Sequence, residues 1–213
     1  MTVEAKICGL STPETVDAAV AGGARWVGFM TYPRSPRHVT TEVLRALAAR
    51  VPKTVGRVGV FVDPDDQLLD ERVAAGAFDL LQLHGSESPE RIVDIKRRTG
   101  KPVMKVIMVA EAADVVRGIA TYAAVADRLM FEPAEGILPG GNAKAFDWTI
   151  LSGRTVPLPW LLAGGLTPDN LAEAVRVTGA RAVDVSSGVE SSRGVKSVAL
   201  IRVFLERAAA LTS

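Results

Sequence analysis

The sequence predicts an α/β protein built as one (β/α)₈ barrel with eight parallel strands. Short β-branched runs alternate with amphipathic helical patterns along all 213 residues, the signature of successive βαβ units. Eight such runs can be counted, which fits a closed barrel in a chain of this length better than an open doubly wound sheet. Hydrophobic residues make up 48% and aromatic residues only 5%, so the core is built from Ala, Val, Leu and Ile, as where strands are buried on both faces.

The elements follow in order. Ala5–Cys8 reads as the first strand and Pro13–Ala21 as a helix, opened by Ser11-Thr12-Pro13-Glu14 and followed by Gly23. A capping hydroxyl ahead of a first-turn proline starts a helix, and a glycine just past the last turn ends one. The strand Trp26–Phe29 precedes the helix Thr41–Ala49, and Val55–Phe61 precedes Asp66–Ala74, for which Gly76 is the expected cap. Leu80–Leu83 leads to the helix Pro89–Thr99, capped by Ser88 and Gly100, and Val103–Ile107 leads to Ala112–Tyr122. After the sixth strand, Arg128–Phe131, residues 132–148 form a Gly- and Pro-containing segment with a reduced helix. It is longer than an ordinary βα connection, which marks it as a functional loop. Trp160–Ala163 is the seventh strand, and Thr167-Pro168-Asp169 opens the helix Asn170–Thr178, closed by Gly179. Ala182–Val185 is the eighth strand, and Val195–Ala210 reads as the last helix. With no linker, charge block or low-complexity tract, residues 1–213 are expected to form a single domain.

Charge narrows the function classes. The net charge of +1, from 25 basic and 24 acidic residues, leaves no electrostatic footprint for nucleic acid or an anionic membrane. The N-terminus lacks the basic-then-apolar pattern of a signal peptide, and no run reaches the ~18 apolar residues of a membrane span, so a cytoplasmic protein is expected. Cys8 is the sole cysteine, which rules out an intramolecular disulfide and a thiolate metal cluster within one chain.

In such a barrel the chemistry sits where strands end and βα loops begin. Cys8 closes the first strand beside Gly9, at the barrel mouth, where it is either a base or a packed thiol. Gly164 and Gly165 follow the seventh strand, and Ser186, Ser187 and Gly188 follow the eighth. These two loops commonly hold a phosphate through backbone N–H groups, so a phosphate-bearing ligand is expected there. The loop after the second strand carries Arg34 and Arg37, and an arginine fork suits a carboxylate; Arg37 is the better placed of the two. His84 ends the fourth strand, as an acid or base or, on the safer reading, a hydrogen-bonding residue.

Seven motifs then fall in order at the strand ends: Lys6-Ile7-Cys8-Gly9-Leu10, Ser35-Pro36-Arg37, Gln82-Leu83-His84-Gly85, Leu138-Pro139-Gly140-Gly141, Phe146-Asp147-Trp148, Ala163-Gly164-Gly165-Leu166 and Asp184-Val185-Ser186-Ser187-Gly188-Val189-Glu190. Together they resemble the motifs of phosphoribosylanthranilate isomerases, barrels of the ribulose-phosphate-binding type. The resemblance implies an Amadori rearrangement of N-(5′-phosphoribosyl)anthranilate, with Cys8 as general base and a carboxylic acid after the sixth strand, Glu132, as general acid. It further implies that Arg37 holds the anthranilate carboxylate and that Asp184 orients the ribose end. No metal or organic cofactor is implied, the partner is the small-molecule substrate, and the chain is expected as a monomer or homodimer. Two positions depart from the family pattern: Glu132 stands where an aspartate is usual and Ala143 where a glycine is usual. Asp127 and Glu135 are rivals for the acid, the first at the wrong end of the strand and the second within the loop.

The imine formed on ring opening acidifies the neighbouring C–H, so one acid and one base of ordinary strength suffice. A metal-dependent phosphosugar epimerase is disfavoured because the chain has two histidines, His38 and His84. A degenerate homologue that binds phosphoribosyl ligands without turnover is the non-catalytic alternative, with Glu132 as its main argument.

Overall fold

A computed structural model describes residues 2–134 and 147–211. Strands β1 (Glu4–Cys8), β2 (Trp26–Met30), β3 (Gly56–Phe61), β4 (Leu80–Leu83), β5 (Val103–Val109), β6 (Arg128–Pro133), β7 (Trp160–Leu162) and β8 (Ala182–Val185) form a closed barrel in chain order. Every pairing is parallel, and β8 returns to β1 with Ala182 opposite Glu4 and Asp184 opposite Lys6. Around it lie helices α1 (Pro13–Ala21), α2 (Thr41–Ala48), α3 (Asp66–Gly76), α4 (Pro89–Thr99), α5 (Ala112–Tyr122), α6 (Leu171–Thr178) and α7 (Val198–Ala210). Between β6 and β7 the described residues contain only a 3₁₀ turn, Trp148–Leu151, whose start is capped by Asp147 accepting from the Thr149 N–H at 3.0 Å. No helix among the described residues is long and apolar enough to cross a membrane.

Alternation along each strand builds two cores. Trp26, Val58, Leu80, Met104, Val106, Met130, Leu161, Ala163 and Ala182 fill the barrel interior. Their neighbours, such as Ile7, Val27, Leu81, Ile107, Phe131 and Val183, pack against the helices. A side-chain period of two is therefore satisfied on both faces, and the strands read as nearly continuous apolar runs for that reason. The interior-facing series ends toward the strand C-termini in polar residues, and there the site lies.

The expected caps hold at Thr12 and Ser88, which accept from Thr15 and Arg91 N–H groups, and at Gly100 and Gly179, both left-handed. Two local expectations change. Gly76 is the last residue of α3 rather than its cap, and Ala77 takes the left-handed conformation (φ 45°). A Cβ on Gly76 would come within 2.3 Å of the Phe78 ring, so close packing and not backbone handedness demands glycine there. The last helix begins at Val198, capped by Ser197, because Val195–Lys196 (β10) instead pairs antiparallel with Glu190–Ser192 (β9). This hairpin turns at Arg193-Gly194, with Gly194 at φ 85°. Its second strand falls within the stretch read as helix because Val195 and Lys196 are compatible with either periodicity.

Candidate active site

At the C-terminal mouth a cavity of about 170 Å³ is lined by Cys8, Met30, Arg37, Val60, Gln82, His84, Glu132, Asp184, Ser186 and Ser187. A narrower extension of about 40 Å³ continues along Glu132, Asp184, Ser186 and Ser187 to Gly164 and Gly165. Of the residues expected from sequence, Cys8, Arg37, His84, Glu132, Asp184, Gly164, Gly165 and Ser186 meet in this one space. A roomier hollow of about 440 Å³ at the opposite end of the barrel is lined by aliphatic and backbone surface and by Thr2 and Thr54, around the Arg25–Glu4 ion pair.

The floor is ionic. Lys6 and Cys8 lie two residues apart on β1 and so share the interior face. The Lys6 ammonium, fully buried, donates to Asp184 Oδ1 at 2.8 Å. Burial alone would lower the Lys6 pKa, but the Asp184 carboxylate and Cys8 outweigh it, and the ammonium is held protonated. Burial pushes the Cys8 thiol up from its ordinary value, Lys6 draws it down and Asp184 adds to the rise. On balance burial prevails, and the thiol is pushed up from its ordinary value.

Just past β4, His84 Nε2 lies 3.1 Å from Oε2 of Glu132 on β6, while Gln82 Nε2 approaches His84 Nδ1 at 3.4 Å. Burial would lower His84, yet the hydrogen bond and charge of Glu132 prevail and its pKa is raised. The loop behind His84 is pinned by a buried ion pair: Lys105 Nζ donates to Glu87 Oε2 at 2.7 Å and to the Gly85 carbonyl at 2.6 Å. Glu87 also accepts from the Asp63 and Gly85 N–H groups. Rigid support of this kind fixes a site residue better than a free loop does.

Arg37 is held from the side. Its Nε and Nη2 donate to Glu190 Oε1 and Oε2 at 2.6 and 2.8 Å. Glu190 begins β9, and Lys196, on β10, donates to Glu190 Oε1 at 2.7 Å and to the Ser186 carbonyl at 2.8 Å. With the Nε edge so occupied, the terminal Nη1/Nη2 edge, unpaired among the described residues, has the geometry to fork a carboxylate.

The two glycine loops are forced together by contact. A Cβ on Gly164 (φ 86°) would lie 1.9 Å from Pro133 Cδ, and one on Gly188 would lie 1.8 Å from the Leu166 carbonyl oxygen. Gly188 thus packs loop 8 against loop 7, directly after Ser186 and Ser187, which line the narrower cavity. His38 lies outside the site, beside Arg72 at 3.3 Å, and Asp127, the rival acid, pairs with Lys96 at 2.9 Å at the far end of β6. Glu135, Ala143 and the Leu138–Gly141 motif lie outside the described residues. Reasoning from sequence gave no role to Lys6, Gln82, Glu190 or Lys196. Strand periodicity carried a signal for Lys6, a charge at an interior position two residues before Cys8.

The sequence profile of the family N-(5′-phosphoribosyl)anthranilate (PRA) isomerase matches residues 5–207. The chain is 52% identical over 213 residues to the N-(5′-phosphoribosyl)anthranilate isomerase of Paracoccus denitrificans, covering 99% of both. It is 53% identical to that of Rhodospirillum centenum, covering 99% of this chain and all of the relative. Among solved structures, phosphoribosyl anthranilate isomerase from Thermotoga maritima superposes with a TM-score of 0.85 at 31% identity over 98% of this chain and 100% of that one. A phosphoribosyl anthranilate isomerase in complex with reduced 1-(o-carboxyphenylamino)-1-deoxyribulose 5-phosphate gives 0.82 at 30% identity, with the same coverage. A profile that matches almost end to end, and relatives more than half identical over the whole length, establish that the chain belongs to the phosphoribosylanthranilate isomerase family.

Proposed function

We infer that the chain is an aldose–ketose isomerase of tryptophan biosynthesis. It converts N-(5′-phosphoribosyl)anthranilate into 1-(2-carboxyphenylamino)-1-deoxyribulose 5-phosphate by general acid–base catalysis, with Cys8 as base and Glu132 as acid. The observation that carries this reading is the linear order of the site. Arg37 and Cys8 line one cavity, the two glycine loops line the other, and Glu132 and Asp184 line both. The substrate has the same order: an anthranilate carboxylate, a reacting sugar and a phosphate.

Glu132, hydrogen-bonded by His84, protonates the ring oxygen as the furanose opens to the imine. Cys8 then takes the proton from C2, the C–H electrons move into the imine to give the enol-enamine, and protonation at C1 with loss of the C2 hydroxyl proton gives the ketone. Asp184, fixed by Lys6, orients the sugar hydroxyls, Arg37 holds the carboxylate, and Gly164, Gly165, Ser186 and Gly188 receive the phosphate. The test is turnover of phosphoribosylanthranilate by the wild type and by Cys8→Ala. The wild type is expected to turn over, and the variant to stay folded with kcat lower by at least about 10²-fold, the scale of a lost base. Near-normal turnover in Cys8→Ala would remove Cys8 from the mechanism, and a wild type without turnover would favour the binding-only reading.

A further inference from the structure

The reaction needs a sulfur that can carry negative charge, yet Cys8 is buried, only 5% exposed, in a setting that disfavours it. Two features of the floor oppose that penalty. Lys6 is the one ammonium on the same face of the same strand, fully buried and anchored by Asp184 at 2.8 Å. Across from both, on β2, stands Gly28, paired with Cys8 in the sheet. A methyl group there would lie 3.0 Å from Lys6 Nζ and 3.1 Å from Cys8 Sγ, so the ammonium and the sulfur converge on the space its missing side chain leaves.

We infer that Lys6 is a positioning residue for the isomerase reaction: tethered by Asp184, its ammonium faces the Cys8 sulfur over Gly28 and supplies the counter-charge that sustains the thiolate. The inference rests on the reading of Cys8 as the base. In the proton-transfer step the thiolate forms the S–H bond, the C2–H bond breaks, and its electron pair moves toward the imine nitrogen. The proton stays on sulfur until product leaves and is then lost to water. Asp184 gives Lys6 a fixed direction, so the charge does not retreat from the sulfur when the site is empty. The groups facing Cys8 are thus Lys6 and Asp184 on the floor, Lys196 and Arg37 from the loops, His84 from just past β4 and Glu132 from β6. Of the cations, Lys196 and Arg37 both bond Glu190, whereas Lys6 stands two residues away on Cys8's own strand.

Cys8 is the only thiol in the chain, so thiolate absorbance near 240 nm, read against Cys8→Ser as a blank, titrates this one group. Lys6→Met should raise its midpoint by about one pH unit or more, the expected scale for losing a close charge in a partly shielded interior. At neutral pH kcat should fall about tenfold for each pH unit by which the midpoint rises, with KM changed less. Gly28→Ala keeps every charge but crowds Nζ and Sγ apart, and it should raise the midpoint in the same direction, which covers the case of Lys6→Met failing to fold. Folded variants whose thiol midpoints match the wild type overturn the inference, as does a raised midpoint with kcat unchanged while Cys8→Ala is inactive. A raised midpoint together with an active Cys8→Ala would instead refute the reading of Cys8 as base and leave the Lys6–Cys8 coupling standing.

Discussion

Glu132 reaches one methylene further than the aspartate usual at its position, and it uses that length to meet His84 at 3.1 Å. In the proposed reaction this contact holds the Glu132 carboxyl in one place as it serves the sugar ring oxygen. Glu132→Gln is therefore expected to lose about 10²-fold or more in kcat, the scale of a missing acid. Glu132→Asp should keep substantial activity, since the carboxyl retreats by only about one C–C bond, ~1.5 Å. Steady-state turnover of both variants tests this, and a Glu132→Gln variant as fast as the wild type would move the acid to another residue. Cys8, Arg37, His84 and the two glycine loops were legible from strand-end position, because in a barrel that position is what brings a side chain to the mouth, whereas Glu132 and Asp184 came through the family resemblance. Their partners were not legible. Arg37 meets Glu190 across 153 residues of sequence, and Lys6 meets Asp184 across 178, distances over which no periodicity carries information.

At the level of elements, start and stop signals are local and could be read within a residue or so. Pro13–Ala21, Pro89–Thr99 and Ala112–Tyr122 have the bounds their caps and periodicity predict. The failures share one cause: a tertiary neighbour overrides the local signal. Gly76 looks like a cap and is instead a helical residue pressed on Phe78. Alanine favours a helix over glycine by about 1 kcal/mol. Gly76→Ala is nevertheless expected to destabilise, because its Cβ would meet the ring and overpacking of this kind costs about 1–3 kcal/mol. Urea denaturation decides the sign, and a more stable Gly76→Ala would show that Phe78 can move aside at little cost. The hairpin of β9 and β10 escaped for a related reason. Its two short strands are held by Lys196 on Glu190 and Ser186, contacts made only once loop 8 has folded over the barrel mouth.

For the whole molecule, the site links stability to pH and to anions. Burial tends to raise the Glu190 pKa, but Arg37, Lys196 and the Gly194 N–H lower it from 4.5 to about 2. A depressed carboxylate contributes stability above its unfolded value and loses it as pH falls toward the folded one, at most about 3 kcal/mol here. The difference in unfolding free energy between wild type and Glu190→Gln should thus be full above about pH 5 and shrink steadily below it. A difference that stays constant down to about pH 3 would exclude this account. Inorganic phosphate should raise the melting temperature, by an amount equivalent to about 2.7 kcal/mol at 100 times its dissociation constant. Ser187→Glu, which sets a carboxylate at the junction of the two cavities, should abolish that gain with little change in the anion-free melting temperature. Equal phosphate stabilisation of both proteins would place the anion elsewhere.

The eight-stranded alternation, the strand ends where chemistry could sit and the motifs that identify the family are all written in the amino-acid order. Each is encoded by residue type at short spacing, through the periods of helix and strand and the chemistry of caps and turns. Closure of β8 onto β1 belongs to the folded chain, and with it the ionic floor of Lys6, Asp184 and Cys8, the lateral grip of Glu190 on Arg37 and the meeting of His84 with Glu132. Such pairings arise only when barrel closure brings distant strand ends within hydrogen-bond reach and excludes water around them, which makes an unpaired charge there too costly to leave.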